Sequence, residues 1–198
     1  EVIRDLHGKR LRRDGQKVVC VTYTKRAVTV ISERLRWDDL YVVSTLHSFL
    51  WGEIRQFTPD IRRALIEHVL PAHIARQKEA DNGGKSKAAT EARAKAERLE
   101  KEREGLKDVF DFKYADSQFS DYVKGELGHD DVVSVAASLI TSNARLQKIM
   151  GQKYPYIFVD EAQDTHEEIV QALNVVCAGD GVPIVGYFGD PMQQIYDK

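Results

Sequence analysis

The chain has few cysteines and no long hydrophobic run. Its two cysteines, Cys20 and Cys177, lie far apart in apolar segments, which predicts a reduced protein with two buried thiols. No apolar run reaches the roughly 20 residues that a membrane-spanning helix needs, and the first residues include no apolar signal-peptide region. No zinc-ligand spacing is present. We therefore expect a cytoplasmic protein without a membrane partner.

The charge of the chain is nearly balanced overall but unevenly distributed. The net charge is -2. Residues 1–36 contain ten Lys or Arg and four acids, whereas residues 157–198 contain eight acids and one Lys. A basic segment suits phosphates and an acidic segment suits a metal ion, although solvated surface charge explains much of both.

The segment YIFVDEAQDT carries the strongest chemical signal. Tyr156–Val159 reads as a strand buried on both faces, and Asp160 and Glu161 follow at its carboxyl end, where α/β sheets bind ligands. One carboxylate there is suited to hold Mg²⁺, and its neighbour to accept a proton from an attacking water. The alternative is that both acids cap the following helix. The continuation through Gln163 favours the nucleotide-hydrolysis site.

Hydrophobic periodicity predicts alternating strands and helices around a helical insertion. This pattern indicates an α/β fold with a parallel sheet and a side domain. We assign 1–53 and 132–198 to the core and 54–131 to the insertion. The predicted strands are Val18–Tyr23, Leu40–Val43, Tyr156–Val159 and Pro183–Phe188. The predicted helices are 1–13, Lys25–Leu35, Leu46–Phe57, a segment from Pro59 to about Leu70, Phe110–Tyr122, Asp130–Met150 and His166–Cys177. The first of them has an apolar stripe of Val2, Ile3, Leu6 and Leu11.

The insertion contains a stretch rich in Ala, Glu, Lys and Arg at 86–104. These residues favour helix strongly, but Ala and charged side chains supply little core. We expect a mostly exposed helix or helical hairpin. It either forms a DNA-contacting arm or is a solvated helix without a ligand.

Polar residues follow each predicted strand. Because the ends of parallel strands share one edge, these clusters predict a ligand crevice there. The clusters are Thr22-Tyr23-Thr24, Ser44-Thr45 with His47-Ser48 beyond, Asp160-Glu161, and Gly189-Asp190 with Gln193 beyond.

Five segments resemble motifs of superfamily 1 DNA helicases of the UvrD/Rep/PcrA type. They are VTYTKRAVTVISERL, VSTLHSF, GELGHDDVVSVAASLI, VDEAQDT and GDPMQQIY. The resemblance implies the first RecA-like domain, a parallel sheet of the P-loop NTPase type with a helical insertion subdomain. It also implies ATP and Mg²⁺ as cofactors, and 3′-to-5′ movement on single-stranded DNA. The implied further partner is a nuclease or a repair or defence protein.

The same resemblance implies roles for individual residues. Asp160 would bind Mg²⁺, Glu161 would deprotonate the attacking water, Gln163 would help bind the nucleotide, and Gln193 would sense the γ-phosphate. The residues expected along the single-stranded DNA path are Thr22, Tyr23, Thr45, His47 and Tyr196. Three of them have alternatives: Tyr23 packing under the sheet edge, His47 as a helix-start histidine, and Tyr196 bracing its own motif.

The sequence departs from the helicase pattern in what it lacks. The phosphate loop G-x-x-x-x-G-K-[ST] is absent, and so is the second RecA-like domain. We expect the chain to begin after the phosphate loop. Lys25 stands where the family often has Asn, and Lys198 where it often has an aromatic residue. Two alternatives to an active motor stay open: a degenerate, non-hydrolysing DNA- or partner-binding module, and the motor subunit of a nuclease-helicase system.

Overall fold

The computed structural model describes residues 2–81, 83–178 and 183–190. The helices are α1 (Val2–Arg13), α2 (Lys25–Arg34), α3 (Leu46–Ile54), α4 (Thr58–Ala64), α5 (Leu70–Asp81), α6 (Lys87–Gly105), α7 (His129–Ser142), α8 (Ala144–Lys153) and α9 (Glu167–Val176). The strands are β1 (Val18–Thr22), β2 (Tyr41–Thr45), β3 (Lys113–Tyr114), β4 (Glu126–Leu127), β5 (Tyr156–Val159) and β6 (Ile184–Tyr187). Among these described residues, no helix has both the length and the apolar character needed to cross a membrane.

A four-stranded sheet has the order β2-β1-β5-β6, and every neighbouring pair is parallel. β1 and β5 are its two central strands, and Val19, Val21, Ile157 and Val159 on them are buried. On the opposite face Val18 and Thr22 of β1 are also buried, whereas Tyr156 and Phe158 of β5 are only half-buried. The prediction that Tyr156–Val159 is buried on both faces is therefore corrected, although its apolar run did locate the strand. The predicted α/β fold with a parallel sheet is confirmed.

The chain forms two compact units. The first unit comprises Glu1–Glu53 and Ile140–Lys198, and the second comprises Ile54–Leu139. The return to the first unit falls within α7, whereas the sequence placed it at residue 132. Apolar periodicity continues without a break along this helix, so the sequence held no signal for the boundary. The assignment of the units as motor core and insertion stays a prediction.

The first unit is held by an apolar cluster and a buried polar network. Leu11, Val18 and Leu40 are fully buried together. Glu53 is buried, and its Oε1 accepts hydrogen bonds from Tyr154 Oη at 2.6 Å and Lys153 Nζ at 2.8 Å. A buried carboxylate is tolerated when it is paired in this way.

Two sequence expectations for the first unit are corrected. The apolar stripe predicted for α1 is incomplete, because Val2 and Leu6 are exposed while Leu11 is buried. The two cysteines, Cys20 and Cys177, are only half-buried free thiols. Hydrophobic spacing reports which face is apolar, not whether another element covers that face.

Within the second unit, α5 and α6 pack together as a helical hairpin. Ser86 caps α6 by accepting the Ala89 N–H at 3.1 Å. Arg93 on α6 donates to both carboxylate oxygens of Asp81 at the end of α5, at 2.7 and 3.0 Å. Most of α6 is exposed, as predicted, but its alanine stripe is buried at Ala89, Ala92 and Ala96. Small side chains let the two helices approach closely, so this stripe is a packing face.

The helix predicted to end before Pro71 continues through it. A π-helical turn, Leu65–Val69, joins α4 to α5, and the Leu70 N–H bonds to the Leu65 carbonyl. Proline lacks an N–H and its ring clashes with the carbonyl four residues earlier, here that of Glu67. The wider π turn accommodates both defects, so the proline lies inside a continuous helical path.

Of two other predicted helices, one is wrong and one is divided into two helices. The stretch Phe110–Tyr122 contains β3 and irregular chain, and β3 pairs in parallel with β4. The predicted helix Asp130–Met150 is broken at Asn143, whose Oδ1 accepts the N–H groups of Arg145 and Leu146 at 3.1 Å. Asn is a strong N-cap residue, and it begins a new helix there.

Candidate functional site

The carboxyl ends of the strands bring the predicted polar residues to one edge. Thr22 of β1 is in register with Thr45 of β2. The Asp160 N–H donates to the Val21 carbonyl at 2.9 Å, and the Phe188 N–H donates to the Val159 carbonyl at 2.8 Å. Asp160 therefore follows a central strand with a neighbouring strand on each side.

The acidic turn after β5 has an unusual backbone. Glu161 adopts the left-handed conformation, with φ 52° and ψ 45°, which costs a non-glycine residue about 1–2 kcal/mol. The Ala162 N–H then donates to the Phe188 carbonyl at 2.8 Å, so the strained turn is fixed to the chain after β6. Such strain is retained where the surrounding structure enforces it, often at functional sites.

The helix-cap alternative for Asp160 and Glu161 is not what the structure has. Glu161 precedes a 3₁₀ turn, Ala162–Asp164, and makes no side-chain capping bond. The next α-helix, α9, begins at Glu167 after His166. The Glu161 side chain is exposed and that of Asp160 is half-buried, so both carboxylates remain accessible for chemistry.

Gln163 lies against both the acidic turn and the end of β6. Its Nε2 donates to Glu161 Oε2 at 2.6 Å. A Cβ placed on Gly189 would lie only 2.1 Å from Gln163 Oε1 and 2.9 Å from the Ala162 nitrogen. Only glycine therefore allows the chain after β6 to pass this close. Sequence reasoning missed the role of Gly189, although a glycine after a strand is a known signal of close backbone approach.

The donor set at this edge fits a magnesium–nucleotide ligand. Mg²⁺ usually takes one or two protein carboxylates and completes its shell with water and substrate phosphates. Among the described residues, no group of three or more His, Cys, Asp or Glu gathers as a metal cluster. Three buried oxygens nearby have no hydrogen-bond partner within the described part of the chain: Thr22 Oγ1, Gln163 Oε1 and Asp164 Oδ1.

Tyr23 connects β1 to the acidic turn. Its hydroxyl donates to the Asp164 backbone carbonyl at 2.9 Å, and its ring meets His47 edge-on with centroids 6.5 Å apart. Burial raises the pKa of the Tyr23 phenol, helped by the charge of Asp164 and opposed by a hydrogen bond with Thr165. The half-buried ring and the bonded hydroxyl are consistent with the packing alternative as well as with a surface for DNA.

The hydroxyls on β1 and β2 differ in accessibility. Thr45 Oγ1 donates to Ser48 Oγ at 2.9 Å and accepts the Ser48 N–H at 3.3 Å, so it caps the start of α3. Thr22, in contrast, is only 1% exposed.

The Cys20 thiol lies two residues before Thr22 on β1. Its pKa is raised to about 11 by burial and by the charge of Asp160.

Gln193 and Tyr196 lie outside the described residues. Of the segment GDPMQQIY, the structure describes Gly189 and Asp190. The roles predicted for Gln193 and Tyr196 therefore stay predictions.

The family comparison matches most of the chain. The model of the UvrD/REP helicase N-terminal domain matches residues 63–197. The Gabija protein GajB of Bacillus cereus is 26% identical in an alignment covering 99% of this chain and 38% of GajB. The RecBCD enzyme subunit RecB of Buchnera aphidicola is 30% identical over 37% of this chain and 6% of RecB. The chain thus spans well under half the length of either relative.

Proposed function

The chain belongs to the UvrD/REP helicase N-terminal domain family, and we propose that it is the first motor domain of an ATP-dependent DNA helicase or translocase. The proposed motor moves 3′ to 5′ on single-stranded DNA. One observation supports this most directly: Asp160 and the strained Glu161 follow a central strand at the edge where Gly189 also lies. The family supports a helicase-type motor, and the ATP chemistry and polarity are our proposal.

The proposed chemistry divides among the residues of the acidic turn. Mg²⁺ bound with ATP supplies positive charge to the phosphates, and Asp160 is the carboxylate that would hold it. Glu161 takes the proton of the attacking water, since its carboxylate is exposed and fixed by Gln163. Gln163 transmits a conformational change in this turn to the segment after β6, because it contacts both. Gln193 is proposed to sense the γ-phosphate.

The proposed DNA path runs along the same edge. Tyr23, Thr45 and His47 lie on neighbouring strand ends and the start of α3, and Tyr196 is proposed to join them. Thr22 belongs to this set by position, but its buried side chain limits it to a backbone contact. The Tyr23 hydroxyl donates a hydrogen bond to the Asp164 carbonyl, just after Asp160 and Glu161. A nucleobase stacked on Tyr23 would therefore be coupled directly to the proposed site of ATP hydrolysis.

Substitutions at Tyr23 separate base stacking from packing. If the ring stacks on a base, Tyr23→Ala weakens single-stranded DNA binding by about 1–3 kcal/mol, while Tyr23→Phe binds nearly as the parent does. The measurement is fluorescence anisotropy with a labelled oligonucleotide at one fixed salt concentration. Equal DNA affinity for the parent and Tyr23→Ala, with a lower melting temperature for Tyr23→Ala, would assign the ring to packing alone.

The function is tested in the full-length protein that contains this chain. We expect ATP hydrolysis that single-stranded DNA stimulates, together with displacement of a strand from a duplex carrying a 3′ single-stranded tail. A duplex with a 5′ tail is the matched control for polarity. Absence of ATPase activity with every DNA tested would favour the degenerate, non-hydrolysing module.

The motor subunit of a nuclease-helicase assembly is a second candidate. One relative is named as a subunit of the RecBCD enzyme, which supports membership of a larger assembly. Purification of the full-length protein from its own cells, followed by mass determination of the intact complex, distinguishes this candidate from a motor that works alone.

A further inference from the structure

The second unit contains a cavity of about 500 Å³ that the proposed motor chemistry does not use. It lies between α5, α6, the start of α7 and a loop formed by residues 117–120, here called the 117–120 loop. Its volume falls within the roughly 300–1,000 Å³ typical of small-molecule sites. All of its lining residues belong to the second unit.

Three cationic side chains line this cavity: Arg76 from α5, and Lys95 and Arg98 from α6. Arg98 also lies 3.4 Å from Glu102 on its own helix. Within the part of the chain that the structure describes, the side chains of Arg76 and Lys95 make no ion pair or hydrogen bond. Two guanidinium groups and an ammonium around one cavity suit a phosphate, which accepts several charge-assisted hydrogen bonds.

The Asp131 carboxylate on the cavity lining is engaged by the protein through one oxygen, whereas its Oδ1 has no hydrogen-bond partner among the described residues. Asp131 is 3% exposed, and its Oδ2 accepts hydrogen bonds from Tyr122 Oη at 2.6 Å and from Ser120 Oγ. His73 Nε2 lies 3.7 Å from the other oxygen, Oδ1. Burial and the charge of Asp131 raise the pKa of Tyr122, so its phenol stays a donor. Because of these bonds, the Asp131 carboxylate repels a bound anion less than a solvent-exposed, unbonded carboxylate would. Asp130 is the other acidic residue on the lining.

The 117–120 loop is fixed in place although it presents an exposed aromatic ring. The His129 N–H donates to the Ser117 carbonyl at 2.8 Å, and the Gly128 N–H donates to Ser120 Oγ at 2.8 Å. A Cβ on Gly128 would lie 2.9 Å from the Phe119 carbonyl carbon, so the loop packs on a position that only glycine fits. Phe119 is nevertheless 82% exposed and lines the cavity.

We propose that this cavity binds a single nucleotide, with its phosphate on Arg76, Lys95 and Arg98 and its base stacked on Phe119. The fixed backbone of the loop places Phe119 on the lining of the same cavity as the three cations, so the cavity offers both a π-face and a phosphate site. The amides of Gln77 and Gln118 also line the cavity and offer donors and acceptors to the edge of a base. The nucleotide comes either from the pool of free nucleoside phosphates or from the 5′-phosphorylated end of a strand.

Direct binding of dAMP to the full-length protein tests the site. Equilibrium dialysis is expected to show dAMP binding to the parent protein. The affinity for dAMP is expected to fall by about tenfold or more in the Arg76→Ala/Lys95→Ala double variant. Lys101→Ala is the matched control, because Lys101 is an exposed cation on α6 that does not line the cavity. Lys95→Ala alone replaces an exposed residue by the best helix former, so it reports on the site without disturbing the fold. These variants are expected to leave nucleotide binding at the proposed ATP site of the first unit unchanged.

Phe119→Ala tests the base separately from the phosphate. It is expected to weaken dAMP binding by about fivefold or more and to leave competition by inorganic phosphate unchanged. Competition by 5′-phosphorylated and 5′-hydroxyl oligonucleotides identifies the source: a strand end competes only when phosphorylated, whereas a site for free nucleotides ignores both. Equal dAMP affinity in the parent and the double variant would overturn the proposal. Equal affinity in the parent and Phe119→Ala would reduce the cavity to a simple anion site and would also overturn it. Neither result depends on whether the motor hydrolyses ATP.

Discussion

Glu161→Gln in the full-length protein is expected to lose ATP turnover by about 10²–10⁴-fold, the usual contribution of a general base. The amide keeps the size of the side chain and can still accept the hydrogen bond from Gln163 Nε2, but it cannot take a proton. Binding of Mg-ATP is therefore retained. The measurement pairs steady-state ATPase rates with nucleotide affinity from equilibrium titration.

Two further variants make this result specific. Glu168→Gln is the matched control, because Glu168 is an exposed acid in the first turn of α9, and its ATPase rate is expected to equal that of the parent. Asp160→Asn should instead weaken Mg²⁺-dependent nucleotide binding, since it removes charge from the proposed metal ligand. Hydrolysis by Glu161→Gln at the parental rate would show that another group accepts the proton.

Gly189→Ala is expected to disrupt the link between the acidic turn and the segment after β6. The new methyl group would overlap Gln163 Oε1 and press on the Ala162 nitrogen, which is bonded to the Phe188 carbonyl. Gln163 can rotate away only by giving up its bond to Glu161, and the backbone contact must lengthen. Overpacking of this kind costs about 1–3 kcal/mol. Because the strain falls on the proposed base, we expect the ATPase rate to fall by about tenfold or more.

Gly52→Ala is the control for this second prediction. Gly52 lies in α3, and a Cβ there meets no atom within 4 Å. The substitution is expected to leave the ATPase rate unchanged and to stabilise the helix by up to about 1 kcal/mol. Thermal unfolding followed beside ATPase activity measures both effects. An unimpaired Gly189→Ala enzyme would mean that Gln163 does not restrain Glu161 during turnover.

The sheet and its polar edge could be predicted because both depend on local sequence. The buried strands β1 and β5 are apolar runs that end abruptly, and the residue after each strand necessarily lies at the shared edge. Asp160, Thr45 and Tyr23 were located by this argument alone. Their neighbours across the edge were harder to identify, since the bond from Tyr23 to Asp164 joins residues 141 positions apart.

What the sequence did not predict depends on contacts between distant segments. Pro71 lies in a helix because a π turn precedes it, and no propensity scale encodes that combination. The alanine stripe of α6 was expected to pack thinly, yet α5 covers it. The segment Phe110–Tyr122 was interpreted as a helix, but Gly125 has φ 72°, and its turn leads into the pairing of β3 with β4. In each case tertiary structure overrode local preference.

The left-handed backbone at Glu161 implies that the residue best for fold stability at this position differs from the residue that the proposed activity needs. Glycine or asparagine would adopt this conformation at little cost, so the residues that suit the turn best lack the carboxylate that the proposed reaction needs. A variant library ranked by stability would favour such replacements and would enrich motors that fold well but do not turn over.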